Sequence, residues 1–241
     1  MASENDPFTE SVWMRPGRPR RGRPQLSREE IVAAAVALLD AEGLEGFSMR
    51  RLGASISAGA TSMYFYVANK DELLELVVDE VLGEVEIPDA GEVGWREAAA
   101  GLARSFRTVL LRHSWVIALF GTHPALGPNA MRVSDRTIAL LSAAGLSGAE
   151  IGWASSLLVS QAIGYATSDA AMKRATRGGE KSPADLIEQL RPFVERMADD
   201  FPAYSDYWRQ NMPLHLDPDA GFEFALDRIL DGLQSWIDRR P

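Results

Sequence analysis

Capped apolar segments with a helical repeat recur along this chain, and no stretch shows the strict apolar–polar alternation of a half-buried strand. Ser27-Arg28-Glu29-Glu30 opens the first segment as a capping box, in which the Ser oxygen and the Glu carboxylate satisfy backbone N–H groups that a helix start leaves free. Ile31, Ala34, Ala35, Leu38 and Leu39 follow at helical spacing, and Gly43 is predicted to end the helix. A second, short helix starts at Ser48 with Met49, Leu52 and Ile56 on one face. Ser57-Ala58-Gly59-Ala60 interrupts it, and Thr61 to Val67 forms a third short segment. Asn69-Lys70-Asp71-Glu72 then caps a long helix through Leu73, Leu74, Val77, Val78, Val81 and Leu82. Two short helices across a tight turn of small residues, braced by longer helices, form a helix-turn-helix.

The rest of the chain follows the same grammar. Pro88 to Gly94 is a polar linker. Trp95 to Phe120 reads as one long helix stopped by Gly121-Thr122-His123-Pro124, and the stretch from Pro124 to Pro128 reads as a loop. Met131 to Ala144 is helical and ends at Gly145. Ser147-Gly148-Ala149-Glu150 caps an Ala-rich helix to about Met172. Arg174 to Pro183 is polar and Gly-rich, Asp185 to Met197 is helical, 201–218 is predicted irregular, and Asp219 to about Arg239 is the last helix. The fold class expected is all-α: an arm over 1–25 without regular structure, a helix-turn-helix domain over 26–87 and a larger helical domain over 88–241.

Charge divides the chain at the same place. The net charge is −9, yet residues 1–70 carry nine basic and eight acidic side chains, so the acidity belongs to the remainder. Arg15 to Arg28 holds six Arg and no acid. A basic arm and a near-neutral head on an acidic body suit a polyanion partner at one end only; a solvated tail is the bland alternative. Cysteine is absent, which excludes a disulfide framework and Cys-liganded metal. No apolar run reaches the roughly 20 residues of a membrane span, and Met1 to Glu10 lacks the apolar core of a signal peptide. A cytoplasmic protein without membrane partners is expected.

Leu26 to Val85 resembles the DNA-binding domain of the TetR family of bacterial transcriptional repressors. The resemblance is carried by Ser27-Arg28-Glu29-Glu30-Ile31, by Ala41-Glu42-Gly43-Leu44-Glu45-Gly46-Phe47-Ser48-Met49-Arg50-Arg51-Leu52, and by Ser62-Met63-Tyr64-Phe65-Tyr66-Val67-Ala68-Asn69-Lys70-Asp71-Glu72-Leu73-Leu74. One departure is Ser57-Ala58, where the family usually has Gly-Val in the turn. Trp95 to Pro128 also resembles the ligand-binding domain of the tetracycline-repressor branch, through Ser105-Phe106-Arg107, Leu110-Leu111-Arg112 and Gly121-Thr122-x-Pro124. The resemblance implies a homodimeric repressor on a palindromic double-stranded DNA operator, released by a small-molecule effector. It places Arg50 where it can reach a guanine edge, Thr61 and Ser62 at the start of the recognition helix, and Tyr64 and Lys70 where the family clamps phosphate. Phe65 and Tyr66 stand where the family has an aromatic followed by His or another polar residue. In the arm, Arg20-Arg21-Gly22-Arg23-Pro24 resembles an AT-hook, and Gly17-Arg18-Pro19 is a partial second copy. Gly and Pro keep such a backbone slim, and Arg18, Arg20, Arg21 and Arg23 can follow the floor of a narrow minor groove.

No enzyme constellation is present. His113, His123 and His215 have no metal-ligand spacing, and no P-loop, G-x-S-x-G or G-x-G-x-x-G occurs. Where tetracycline repressors have a His before Gly-Thr-x-Pro, this chain has Ala118 and Leu119, and Leu102 replaces another polar drug contact, so neither tetracycline nor a metal is expected. No cofactor is expected either. Phe106, Leu110, Trp115, Met131, Trp153 and Tyr165 are expected to line a bundle interior, with His123 and Gln161 as polar groups that orient an apolar or aromatic ligand. Taken singly, each is more readily ordinary core. Dimerisation is expected to use the helix from Glu150 (Ile151, Ala154, Leu158, Gln161, Ala162, Tyr165) and the last helix (Phe222, Ala225, Leu226, Ile229, Leu233, Trp236, Ile237). Rival readings are an architectural DNA-binding protein without an effector, and a carrier or enzyme with a vestigial head.

Overall fold

In a computed structural model the described residues are 11–14, 27–56, 63, 65–176, 182–211 and 217–239. They contain helices and no strand; the one bridge among them is an isolated pairing of Phe120 with His123. Helix α1 spans Arg28–Gly46. Its capping box is closed: the Glu30 amide donates to Ser27 Oγ at 3.0 Å and the Ser27 amide donates to Glu30 Oε2 at 2.6 Å. Gly43, with φ of 70°, breaks the helix where the sequence predicts its end, and one further turn leads to buried Phe47. Helix α2 spans Met49–Ser55, capped by Ser48, and α3 spans Lys70–Leu82, capped by Asn69. Ile31, Ala35, Leu39, Leu52, Met63, Val67 and Leu73 form the core of this N-terminal head.

The body begins with a single helical turn, Ala90–Val93, followed by α4 (Trp95–Arg112). The predicted helix to Phe120 is corrected here: α4 stops at Arg112, His113 leaves helical geometry at φ −111° and ψ 55°, and Ser114–Leu119 continues as a 3-10 helix. An apolar run does not distinguish the two helix types; the tertiary partners of His113 and Trp115 do. Helix α5 spans Pro128–Ala143 and starts on a proline whose missing N–H a first turn does not need. It closes in a Schellman motif, with Gly145 at φ 91° and the Leu146 amide donating to the Leu141 carbonyl at 3.1 Å.

Helix α6 spans Ala149–Thr176, α7 Pro183–Arg196, α8 Pro202–Asn211 and α9 Pro218–Asp238. Helix α8 occupies most of the stretch predicted irregular. Pro202 stands in its first turn, where proline initiates rather than breaks, and Ser205 and Trp208 fall inward.

The body core is a three-helix seam of α4, α6 and α9. Ala98, Leu102, Phe106 and Val109 meet Ala154, Leu158, Ala162 and Ala166, with Phe222, Leu226 and Leu230 closing the third side. The alanines bring the helix axes close. Arg107 lies inside the seam: its guanidinium donates to Asp169 Oδ2 at 2.7 and 3.1 Å and to Asp219 Oδ1 at 2.7 Å, and stacks 4.7 Å over the Phe222 ring. Burial alone would lower its pKa, but the hydrogen bonds to Asp169 and Asp219 outweigh burial and hold it above the usual arginine value. Nearer the surface, hydrogen bonds from Arg104 hold the Glu223 carboxyl below its usual range. That tie between α4 and α9 is complete at neutral pH and is lost as pH falls through the depressed value.

Candidate nucleic-acid interface and its junction with the body

Arg50, in the first turn of α2, is exposed and has no acidic partner among the described residues. Its neighbour Arg51 is committed to Glu42 at 2.7 Å. Phe65 is 76% exposed, so it presents its ring to solvent rather than to the core, while Tyr66 is half-buried. Lys70 opens α3, is exposed, and holds its ammonium 5.5 Å from the Phe47 ring centroid. Met63 is fully buried; the Tyr66 and Val67 amides donate to its carbonyl at 2.8 and 3.1 Å. Arg18, Arg20, Arg21, Arg23, Thr61, Ser62 and Tyr64 lie outside the described residues.

Helix α3 carries this surface into the body. Ten of its thirteen residues are buried, including Glu72, Glu75 and Asp79. Acids on a helix enclosed on every side require donors, and the first turn of α5 supplies those of Asp79. The Ala130 amide donates to Asp79 Oδ1 at 2.9 Å, and the Asn129 amide and side chain both donate to Oδ2 at 3.3 Å. A carboxylate at a helix N-terminus also meets the positive end of its dipole. One turn later Arg132 donates to the carbonyls of Leu82, Gly83 and Val85 at 3.1–3.2 Å, closing the end of α3. Helix α5 therefore grips the last turn of α3 at two points. Gly127 is needed there, since a Cβ on it would lie 2.2 Å from Asp79 Cγ.

A second polar tie joins α1 to the end of α4. His113, 3% exposed, has Nδ1 at 2.7 Å from Asp40 Oδ1 and Nε2 at 3.2 Å from Glu84 Oε1. The Trp115 indole donates to the same Asp40 oxygen at 2.7 Å, and Arg112 pairs with Glu84. Trp115 thus faces the head. Sequence reading missed His113, Asp40, Glu84 and Asp79. The available signal was three acids, Glu72, Glu75 and Asp79, interleaved with the apolar residues of α3, a pattern that asks for partners without naming them.

Within the body, Phe106 and Leu110 are buried, and Phe106 meets Phe120 with ring centroids 6.0 Å apart. His123 is half-buried, with Nδ1 3.0 Å from Thr122 Oγ1. Met131 and Trp153 are 65% and 67% exposed, so these two do not line the interior of the chain. The apolar character of α6 on several sides hid which side packs inward. Gln161 and Tyr165 are brought together with Ser160, Gly164 and Ser168 along an open groove of about 310 Å³ on α6. Gln161 Nε2 donates to the Phe222 carbonyl at 3.1 Å, its Oε1 is buried without a partner among the described residues, and Tyr165 stands edge-on to Phe222. No group of three or more His, Asp or Glu able to hold a metal occurs among the described residues, and no described helix is long and apolar enough to cross a membrane.

Comparison with known proteins agrees with this two-part construction. Residues 31–77 match the bacterial regulatory proteins of the tetR family, and residues 87–237 match the tetracyclin repressor-like C-terminal domain. The chain belongs to the TetR family. It is 36% identical over 227 residues to an HTH-type transcriptional regulator of Saccharopolyspora erythraea, covering 93% of this chain and 94% of that one. It is 34% identical over 235 residues to the HTH-type transcriptional repressor DrrR1 of Streptomyces coeruleorubidus, covering 96% and 86%. The structure of the Streptomyces coelicolor TetR family protein ActR in complex with actinorhodin superposes with a TM-score of 0.77 at 32% identity, covering 88% of this chain and 97% of ActR. This TetR-family protein is a DNA-binding transcriptional repressor and not an enzyme.

Proposed function

We propose that this repressor works in the cytoplasm as a homodimer on a palindromic operator, and that a small, largely apolar or aromatic organic molecule releases it. The observation that carries the reading is the grip of α5 on α3: Asp79 and the carbonyls at the end of α3 are held by α5, while the start of α3 carries Lys70. A ligand that shifts α5 or α4 must tilt α3 and change the separation of two recognition helices, which DNA requires at about 34–36 Å. By linkage, the ligand binds the DNA-free state more tightly by the factor with which it weakens DNA binding.

In this reading the division of labour is an arm over 1–25, a head over 26–87 and a body over 88–241. The arm residues Arg18, Arg20, Arg21 and Arg23 follow the minor groove. Thr61, Ser62, Tyr64, Phe65, Tyr66 and Lys70 hold the recognition helix on the phosphates and bases, and Arg50 reads a base. Phe106 and Leu110 supply an apolar wall for the ligand, with His123, Gln161 and Tyr165 as polar groups. A relative solved in complex with an organic compound supports a small-molecule effector. For the dimer, support comes from the unpartnered side of α6, where Gly152, Ser156, Ser160, Gly164 and Ser168 recur every fourth residue beside exposed Trp153 and Leu157. The sides of α6 and α9 that bear Ala154, Leu158, Ala162, Phe222, Leu226 and Leu233 are buried within the chain, so two copies would pair through the opposite sides.

The test is release of a fluorescent duplex, selected by this protein from a random-sequence library, on titration with actinorhodin and a panel of aromatic and aliphatic compounds. Release by an aromatic compound is expected, and Phe106→Leu, which keeps an apolar side chain in the core, should shift its midpoint while leaving ligand-free DNA affinity unchanged. Failure of the whole panel would favour an effector-free architectural protein. On the DNA side, Arg50→Ala is expected to cost about 1–3 kcal/mol against the selected site and to relax sequence choice at one base pair. Repeating the selection with the variant checks this.

A further inference from the structure

Residues 11–14 do not behave as part of a structureless arm. Val12–Met14 form a 3-10 turn, closed by the Met14 amide donating to the Ser11 carbonyl at 3.1 Å, and Ser11 is fully buried. Ser11 Oγ donates to Glu75 Oε2 at 2.6 Å and the Val12 amide donates to the same oxygen at 3.1 Å. Glu75 is itself buried, and among the described residues these are the donors its carboxylate has. A buried carboxylate without donors is costly, so the head is built to receive this segment. Trp13 then reaches across to the body. Its Cζ2 lies 2.6 Å from the position a Cβ on Gly127 would take, the same position that abuts Asp79, and the Arg28 guanidinium lies 5.8 Å from its ring centroid. The indole Nε1 is buried with no partner among the described residues, and the ring's contacts with Gly127 and Arg28 are packing contacts.

The segment therefore touches α1 through Arg28, α3 through Glu75 and the loop before α5 through Gly127. Those three elements meet at the head–body junction. We propose that Ser11–Met14 is a strap that fixes the angle between head and body, and that Trp13 is a positioning residue for operator binding. The role is separate from any DNA contact made by the Arg-rich stretch that follows. A head that swings more widely spends less time at the separation two half-sites demand, so losing the strap weakens binding to the paired site. This consequence for affinity rests on the proposed two-headed reading; the restriction of head motion does not.

Four variants separate the terms. Deleting residues 1–14 removes the strap and keeps all six Arg from Arg15 to Arg28. Trp13→Ala removes the wedge. Trp13→Phe keeps an aromatic wedge and discards the unpaired N–H. Replacing Arg18, Arg20, Arg21 and Arg23 together with Ala leaves the strap in place. The chain has no cysteine, so Glu45→Cys and Asp135→Cys, both at exposed sites, give one spin-label pair between head and body, diluted with unlabelled protein. The deletion and Trp13→Ala should broaden the distance distribution, and Trp13→Phe should restore it. On a selected duplex with two half-sites, the deletion and Trp13→Ala should bind about two- to thirtyfold more weakly. The salt slope should be unchanged, and so should affinity for a duplex with one half-site scrambled. The Arg variant should instead lower the salt slope, by roughly 0.9 per lost phosphate contact. An unchanged distance distribution in the deletion would overturn the strap. So would a loss of affinity that is equal on one and two half-sites. Wild-type protein that sediments as a monomer, or that binds both duplexes equally, would instead defeat the two-headed reading, and the distance distribution would still judge the strap.

Discussion

Gly164→Arg is expected to convert the protein to a monomer and to abolish tight operator binding without harming the fold. Gly164 lies mid-way along the small-residue side of α6, is exposed, and has nothing within 4 Å of where a side chain would begin. Within one chain the replacement is favourable, because arginine has a better helix propensity than glycine by about 0.7 kcal/mol. Between two copies it places a long cation where helix axes must approach closely, and like charges related by a two-fold axis repel. Linking two DNA-binding heads raises affinity by about 10²–10⁴ over one head, so a loss of that order is expected on the selected duplex. Sedimentation velocity at micromolar concentration reads the first effect, a gel shift reads the second, and thermal melting by circular dichroism controls for folding. A variant that remains a dimer would move the interface elsewhere on the body.

The largest effect on stability is expected at Arg107. Its guanidinium and the Asp169 carboxylate are about one-tenth exposed, and they join α4 to α6 beneath Phe222 of α9. Removing one partner of a buried pair leaves the other charge without compensation, at about 3–5 kcal/mol. Arg107→Met should therefore lower the denaturation midpoint strongly, whereas Arg107→Met combined with Asp169→Leu should recover most of the loss, since two apolar groups leave no charge to satisfy. Asp219 is largely exposed and can return to water in either variant. Urea titrations of the two single variants and the double variant give the coupling directly. Additive losses would show that the pair is not the source of the effect.

These two expectations differ in what made them visible. The helix starts at Ser27 and Asn69 and the Schellman stop at Gly145 are all legible in the residues. Each is decided by hydrogen bonds that reach three to five positions along the chain, and a local pattern records local bonds. The family membership was legible for the same reason, since its motif is a run of caps, small turn residues and aromatics in register. Met63, inside that run, is fully buried.

Direction across the chain was not legible. Helix α6 is apolar and small on several sides, so its sequence does not say that Ala154, Leu158, Ala162 and Ala166 face α4 while Trp153 and Gly164 face away. Only the arrival of α4 and α9 selects the inward side, because burial is a property of what comes alongside. The end of α4 at Arg112 was hidden likewise: His113 and Trp115 leave the helix for Asp40 and Glu84, which lie far away in sequence. The acids of α3 posed the sharpest case. Glu75 and Asp79 break an apolar pattern, and the residues that make them tolerable are Ser11 and Val12 on one side and Asn129 and Ala130 on the other. A buried charge shows only that donors must exist. The sequence by itself determined the all-α class, the caps at Ser27, Ser48 and Asn69 and the family; where α4 ends, which faces are inside, and which distant groups satisfy the charges that join head to body, were decided by tertiary packing alone.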